Sequence, residues 1–180
     1  MKLDGCTALI TGASAGLGAE FSRQIAPRAR ALVLVARRLD RLDALRNELT
    51  TKQPALQVHV HAIDLSKHKS IAQLCEWLQN EALVPDFLIN NAGSGDRGAF
   101  FTSDFGRVND ILQVNVVSLT LLTRKLLPAM IVAKRGAILN VSSSASFLPI
   151  PGMGVYAATK ATSPVSPKRS AAKSGVAVSP

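Results

Sequence analysis

The stretch "YAATK" places Tyr156 and Lys160 four residues apart. On a helix, residues at i and i+4 share one face, so the ammonium can lie close to the phenol. A free tyrosine holds its proton to a pKa of about 10, and a nearby cation favours the phenolate. The pair is therefore a candidate proton donor and acceptor, and Tyr156 is the chain's one tyrosine. Taken alone, such a pair reads better as a surface helix contact. A second candidate is "TGASAGLG" at residues 11–18. There Gly12 permits a tight turn, Gly16 lets a backbone approach an anion and Gly18 permits close packing of a helix on a strand. A helix N-terminus behind such a loop offers unpaired N–H groups and the positive end of its dipole to a phosphate. Glycines also serve plain turns, so the reading depends on what flanks the loop.

The flanking pattern supplies that context. "CTALIT" (6–11) reads as a buried strand running straight into the loop, with a helix from about Leu17 to Ala26 behind it. "ALVLVA" (31–36) is a second strand, followed by a helix with leucines at 39, 42, 45 and 49. "QVHVHAI" (57–63) is a third strand, and Ser66 is read as the cap of a helix reaching Asn80. "DFLIN" (86–90) is strand four. Ser103 is read as the cap of a long helix, and "GAILNVS" (136–142) is strand five. Most strands are apolar on both faces, as parallel strands covered by helices on both sides must be. The alternation predicts an α/β fold, a Rossmann-like doubly wound parallel sheet.

The loop has the spacing Gly-x-x-x-Gly-x-Gly with Thr11 in front. "NNAG" (90–93) ends strand four, Asn115 lies in "QVNVVS", "NVSSSAS" (140–146) follows strand five, and "YAATK" comes next. In order and separation these motifs resemble the short-chain dehydrogenase/reductase family over residues 4–161. The resemblance implies an NAD(P)-dependent oxidoreductase that moves a hydride between a nicotinamide and a carbonyl or alcohol. It implies that Tyr156 gives or takes the substrate proton, that Ser143 holds the substrate oxygen, and that Lys160 lowers the Tyr156 pKa and bonds the nicotinamide ribose. Ser142 and Ser144 flank Ser143, and family spacing to Tyr156 selects Ser143. Asn115 is assigned to a water in the proton relay, to an irregularity in the long helix, or to both. The cofactor-binding set so implied is Gly12, Ser14, Ala15, Gly16, Leu17 and Gly18 in the loop, and Arg37 and Arg38 after strand two. Asp64 and Leu65 belong beside adenine, and Asn90, Asn91, Ala92 and Gly93 beside the ribose, with Tyr156 and Lys160 at the nicotinamide end.

Strand two ends in "VARR", and in a dinucleotide fold this end faces the adenosine ribose. A carboxylate there accepts from a free 2′-OH and repels a 2′-phosphate. This chain has no carboxylate until Asp40, and guanidinium suits a phosphate in charge and geometry. NADP(H) is therefore expected in preference to NAD(H), although Ala15 stands where many NADP-preferring relatives carry a basic residue.

The totals bound the remaining possibilities. A hydrophobic share of 47% in 180 residues excludes wholesale disorder and suits one domain. The +9 charge is scattered and not interleaved with aromatics, which argues against a nucleic-acid partner. No run is read as a membrane span or secretory signal, and no metal site is indicated. Cys6 and Cys75 lie in apolar runs and read as buried thiols of a reducing, cytoplasmic compartment. After Ala161 the family pattern fails: Pro164 and Pro167 interrupt any helix, and residues 162–180 read as a disordered tail. The domain is thus read as residues 1–161, with the C-terminal strands and helices missing. The chain is read as truncated or frame-shifted after Ala161, because back-translation one base out of register can restore a helix-like run. A non-catalytic dinucleotide-binding fragment is the alternative function. The family implies a homo-oligomer, but much of the helix that would pair across it is absent, leaving apolar surface exposed.

Overall fold

The computed structural model describes residues 3–148, 150–162 and 177–179. One parallel sheet runs in the order β3-β2-β1-β4-β5-β6. Its strands are β1 (Cys6–Thr11), β2 (Ala29–Ala36), β3 (Gln57–Ala62), β4 (Phe87–Asn90), β5 (Ala137–Asn140) and β6 (Ala177–Ser179). The helices are α1 (Gly16–Ile25), α2 (Leu39–Lys52), α3 (Ser70–Asn80), α4 (Phe105–Leu112), α5 (Leu119–Val132) and α6 (Gly154–Ala161). The chain order reverses between β1 and β4, which opens a crevice at the carboxyl ends of the strands, where open α/β sheets bind ligands.

Alternate strand residues enter two cores, because successive side chains point to opposite faces. Ala8, Ile10, Leu32 and Leu34 pack with the leucines of α2 and with Ala19 and Ile25 of α1. Leu9, Val33, Val35 and Leu88 pack on the other face with Leu74 of α3 and with Leu122 and Met130 of α5. These strand residues are at most 1% exposed, as a sheet sandwiched between helices requires.

Several local expectations are corrected. α3 begins at Ser70, not behind Ser66. Asp64 takes the Ser66 N–H on its own carboxylate at 3.0 Å, and the next turn forms before the helix can start. Ser103 is not the cap of α4, because its hydroxyl donates to the Phe100 carbonyl and closes a short 3₁₀ turn. Asp104 caps instead, accepting the Arg107 N–H at 2.7 Å. Cys6 is buried, but Cys75 is only half-buried. The span Phe105–Val132 is a continuous 28-residue helix, long and apolar enough by length and composition to cross a membrane. The sequence reading missed it because Arg124 and Lys125 interrupt the apolar run. Leu112, Leu121, Ile131 and Val132 are exposed along it. Of the stretch expected as a tail, residues 177–179 form β6, paired in parallel with β5. Thr162 caps α6, and residues 163–176 and 180, Pro164 and Pro167 included, lie outside the described residues.

Candidate active site

The phosphate loop stands at the top of β1. Gly12 has φ +68 and Gly16 has φ +55, a region that L side chains rarely adopt. A Cβ on Gly12 would lie 2.8 Å from Asn91 Nδ2. A Cβ on Gly16 would meet no heavy atom within 4 Å, so the backbone there borders open space. Gly18 has a different partner from the expected strand: its Cβ would fall 2.3 Å from the Gly12 carbonyl oxygen, so α1 packs on the loop itself. The N-cap position of α1 is Ala15, which provides no side-chain hydrogen bond, and the first turn carries no acid. The N–H groups there remain available to an anion.

A cleft of about 350 Å³ opens at this point. Gly12, Ser14, Ala15 and Leu17 form its floor. Arg37 and Arg38 stand at one end, with Arg38 donating to the Ser14 hydroxyl at 3.2 Å. Asp64 and Leu65 line one wall, and Asn91, Ala92 and Gly93 another. Burial raises the Asp64 pKa, but hydrogen bonds from Ser66 and the nearby Arg37 and Lys67 charges outweigh it and hold the carboxyl below its usual range. Asn90 is not in this cleft. It is 3% exposed and donates from Nδ2 to Asn140 Oδ1 at 2.8 Å and to Thr123 Oγ1 at 3.1 Å, clamping β4 to β5 and α5. It is one residue too early in the motif, because it still lies within the strand. Asn91 bonds the Thr11 and Gly12 carbonyls and fastens this loop to the first.

A second cleft of about 510 Å³ contains Ser143, Tyr156 and Lys160. Leu17, Asn91, Gly93 and Ser94 line both clefts, so the two are continuous. Ser143 has extended backbone, and its Oγ accepts the Ala145 N–H at 3.2 Å. Among the described residues its own proton has no acceptor. Ser142 Oγ is 2.6 Å from Ser146 Oγ and 3.3 Å from the Lys160 carbonyl, so it is engaged in structure. Ser144 begins a 3₁₀ turn and does not line the cleft. Of the three, Ser143 lines the cleft with its hydroxyl proton unengaged among the described residues.

Lys160 is 6% exposed, and its Nζ donates to the Val141 carbonyl at 2.9 Å. Burial pushes the ammonium pKa down. Gly93 is the close neighbour that lets it lie there: a Cβ would come within 3.3 Å of Nζ. The Tyr156 ring lies against Gly95, where a Cβ would be 3.1 Å from Cδ2.

Asn115 sits in a π-helical segment, Gln113–Ser118, that joins α4 to α5. Its Oδ1 accepts the Ser94 N–H and its Nδ2 donates to the Ser94 carbonyl, both at 2.8 Å. Nδ2 also donates to Thr159 Oγ1 at 2.9 Å, and Thr159 donates to the Tyr156 carbonyl. Of its two sequence readings, the helix irregularity is the one observed. The widened turn aims the amide between the loop after β4 and α6. Sequence reasoning missed Thr159, Gly95 and Arg107. Arg107 lines the nucleotide cleft and donates to the Gly95 carbonyl at 2.6 Å. Only their places in the chain, Thr159 just before Lys160 and Gly95 two residues beyond "NNAG", hinted at the first two.

A crevice at a sheet switch point, a glycine loop on an uncapped helix and a Ser–Tyr–Lys cleft beside it define a dinucleotide-binding α/β protein. A family model described as short chain dehydrogenase matches residues 6–165, and the chain belongs to that family. It is 34% identical over 163 residues to a very-long-chain 3-oxoacyl-CoA reductase of Aspergillus terreus, covering 87% of this chain and 45% of the relative. It thus spans about half the length of the curated relatives it matches. A short-chain dehydrogenase from Sphingobium yanoikuyae in complex with NADPH superposes with TM-score 0.87 at 33% identity, over 96% of this chain and 70% of that one. A bulky-bulky ketone specific alcohol dehydrogenase from Comamonas testosteroni gives TM-score 0.87 at 31% identity, over 96% and 72%.

Proposed function

We propose that this chain carries the cofactor site and reactive groups of an NADP(H)-dependent oxidoreductase acting on a carbonyl or alcohol. The observation that carries the reading is the meeting of Ser143, Tyr156 and Lys160 in a cleft continuous with the one beneath Arg37 and Arg38. The residues present fit a nicotinamide dinucleotide: Gly16 borders open space beside an uncapped helix end, where a pyrophosphate would sit. Arg37 and Arg38 would hold a 2′-phosphate, Asp64 and Leu65 would meet adenine, and Asn91, Ala92 and Gly93 would meet the ribose. When bound, the nicotinamide supplies or accepts the hydride.

The protein's own groups handle the proton. The Ser143 hydroxyl donates to the substrate oxygen and polarises the carbonyl. Tyr156 delivers a proton to that oxygen in reduction and takes it back in oxidation. Lys160, buried and tied to Val141, brings its Nζ beside Gly93, which lines both clefts. Asn115 and Thr159 position α6 against the loop after β4. A nicotinamide-bearing neighbour supports the cofactor class. The preference for NADP(H) rests on the arginine pair and the absence of a carboxylate at the end of β2. A cytoplasmic location belongs to the same reading; the Phe105–Val132 helix packs by its buried side on the sheet core and bonds α6.

Titration of the purified chain with NADPH and NADH, followed by nicotinamide fluorescence, tests this. NADPH should bind at least about tenfold more tightly, the worth of one good charge-assisted contact, and Arg37→Asp should reverse the order. Tighter NADH binding overturns the preference. Binding of neither by folded protein overturns the cofactor reading. NADPH binding without turnover on any ketone would favour a non-catalytic dinucleotide-binding unit.

A further inference from the structure

The loop after β4 walls the Tyr156 ring, yet it has no regular structure of its own. Residues 91–97 belong to no helix or strand. Backbone groups outside a ladder must find their partners elsewhere. Ser94 is held at both its N–H and its carbonyl by Asn115. The next residue, Gly95, accepts at its carbonyl from Arg107 Nη2 at 2.6 Å. Among the described residues no other group donates to that carbonyl. Gly95 is also where the phenol rests. A Cβ there would lie 3.1 Å from Tyr156 Cδ2 and 3.5 Å from Cε2 and Cγ, so the ring packs on bare backbone. No Gly95 side chain stands between them to absorb a shift of the loop.

Arg107 is itself held in place from below. It lies in the first turn of α4, where Asp104 accepts its N–H at 2.7 Å. Gly106 leaves room for that cap, since a Cβ there would come within 3.1 Å of Asp104 Oδ1. Arg107, Asp110 and Val114 follow at helical spacing on one stripe of the helix, and all three line the nucleotide cleft. Among the described residues the Arg107 guanidinium pairs with no carboxylate. Its bond is to the Gly95 carbonyl, and a charged donor makes such a bond about twice as strong as a neutral one.

We propose that Arg107 is a positioning residue for Tyr156. It holds the Gly95 backbone, and through it the phenol ring, in register with the nucleotide cleft that its own helix lines. The inference rests on the reading of Tyr156 as the group that moves the substrate proton. Arg107 touches neither that proton nor the substrate. Loss of its bond frees the Gly95 peptide and lets the ring leave its place in the cleft.

The test reads the ring directly, because Tyr156 is the chain's one tyrosine and Trp77 its one tryptophan. The full chain, with heavy carbon in the tyrosine ring, should give one set of ring resonances by NMR, distinct from those of an unfolded tyrosine. Arg107→Ala should shift them toward the unfolded position and broaden them. Guanidinium ion, added well below denaturing concentrations, should restore them, because it returns the same donors to the Gly95 carbonyl. Arg107→Gln serves if Arg107→Ala fails to fold. Arg124→Ala, which removes an equal charge from an exposed site on α5, should leave the resonances unchanged. Trp77, stacked on His61 at 4.4 Å, should keep its fluorescence throughout, as an intact fold requires. In ketone reduction, Arg107→Ala should lower kcat about ten- to hundredfold, the cost of misplacing a reacting group, and change NADPH affinity by less. Unmoved ring resonances in the folded variants overturn the proposal. So does loss of NADPH affinity with the ring unmoved, which makes Arg107 a cofactor contact. A moved ring that neither guanidinium nor Arg107→Lys returns also overturns it, since the bond to Gly95 is then not what was lost. The ring signal needs no turnover, and the rate of Tyr156→Phe reports separately on the proton donor, so failure of that reading and of this one are distinguishable.

Discussion

The nucleotide cleft and the catalytic cleft adjoin, yet they are built differently. The first is made from the ends of β1, β2 and β4, strands hydrogen-bonded in register at the centre of the sheet, and from the glycine loop that Asn91 and α1 pack against. The second brings the end of β5 and the loop after β4 together with α6, which is joined to them through side-chain hydrogen bonds. α6 is eight residues long and reaches the rest through Asn115, Thr159 and the Lys160–Val141 bond. The first should therefore survive damage to the second, because a sheet core does not depend on one amide. The reverse does not hold, since Leu17, Asn91, Gly93 and Ser94 form part of the catalytic cleft as well.

The largest effect that separates the two clefts is on turnover. Tyr156→Phe should lower the rate of carbonyl reduction by about 10²- to 10⁴-fold, the range for loss of a positioned proton donor. NADPH affinity should stay within about twofold. A near-normal rate in this variant would move the proton donor elsewhere. Asn115→Ala comes next. It removes one buried and two part-buried hydrogen bonds and leaves the Ser94 N–H and carbonyl without their partner, which should cost about 2–3 kcal/mol in chemical denaturation. NADPH affinity should fall by less than stability does. Equal loss of both would mean that the two clefts are one cooperative unit.

Gly18→Val tests the nucleotide side by the opposite route. Its Cβ would meet the Gly12 carbonyl and Asn91, so α1 must shift, at a cost of about 1–3 kcal/mol. NADPH binding should be lost in the folded fraction while Lys160 remains buried. The smallest effect concerns neither cleft. Glu48 accepts from Arg23 and Lys52, which lowers its pKa from the ordinary 4.5 to about 2. A depressed carboxylate pKa adds stability above the unfolded value, and this is lost as pH falls from about 4.5 to about 2. Glu48→Gln should flatten that part of the pH–stability curve by under about 1 kcal/mol, since the pair is partly exposed. NADPH binding at neutral pH should not change.

Much of this molecule is set locally and is legible from the chain alone. Apolar runs such as "ALVLVA" have no other stable place than a covered parallel strand, and a glycine loop between strand and helix constrains its own backbone. The β-α alternation, the phosphate loop, the arginine pair and the Tyr156–Lys160 spacing all follow from neighbours within a few residues. What needed the tertiary structure is whatever depends on distant segments meeting. Asn90 and Asn91 are adjacent and chemically identical, yet one clamps two strands and the other lines a cleft, because β4 ends between them. The choice of Asp104 over Ser103 as a cap is local but carries no sequence signal, since it turns on the Ser103 hydroxyl being already engaged by the Phe100 carbonyl. Thr159 gained its role from an amide 44 residues away, and the Gly98 N–H meets the Gly152 carbonyl only because the loop after β4 and the turn into α6 pack together. A hydrogen bond or cavity wall between remote residues leaves no periodicity in the chain; only the folded packing specifies it.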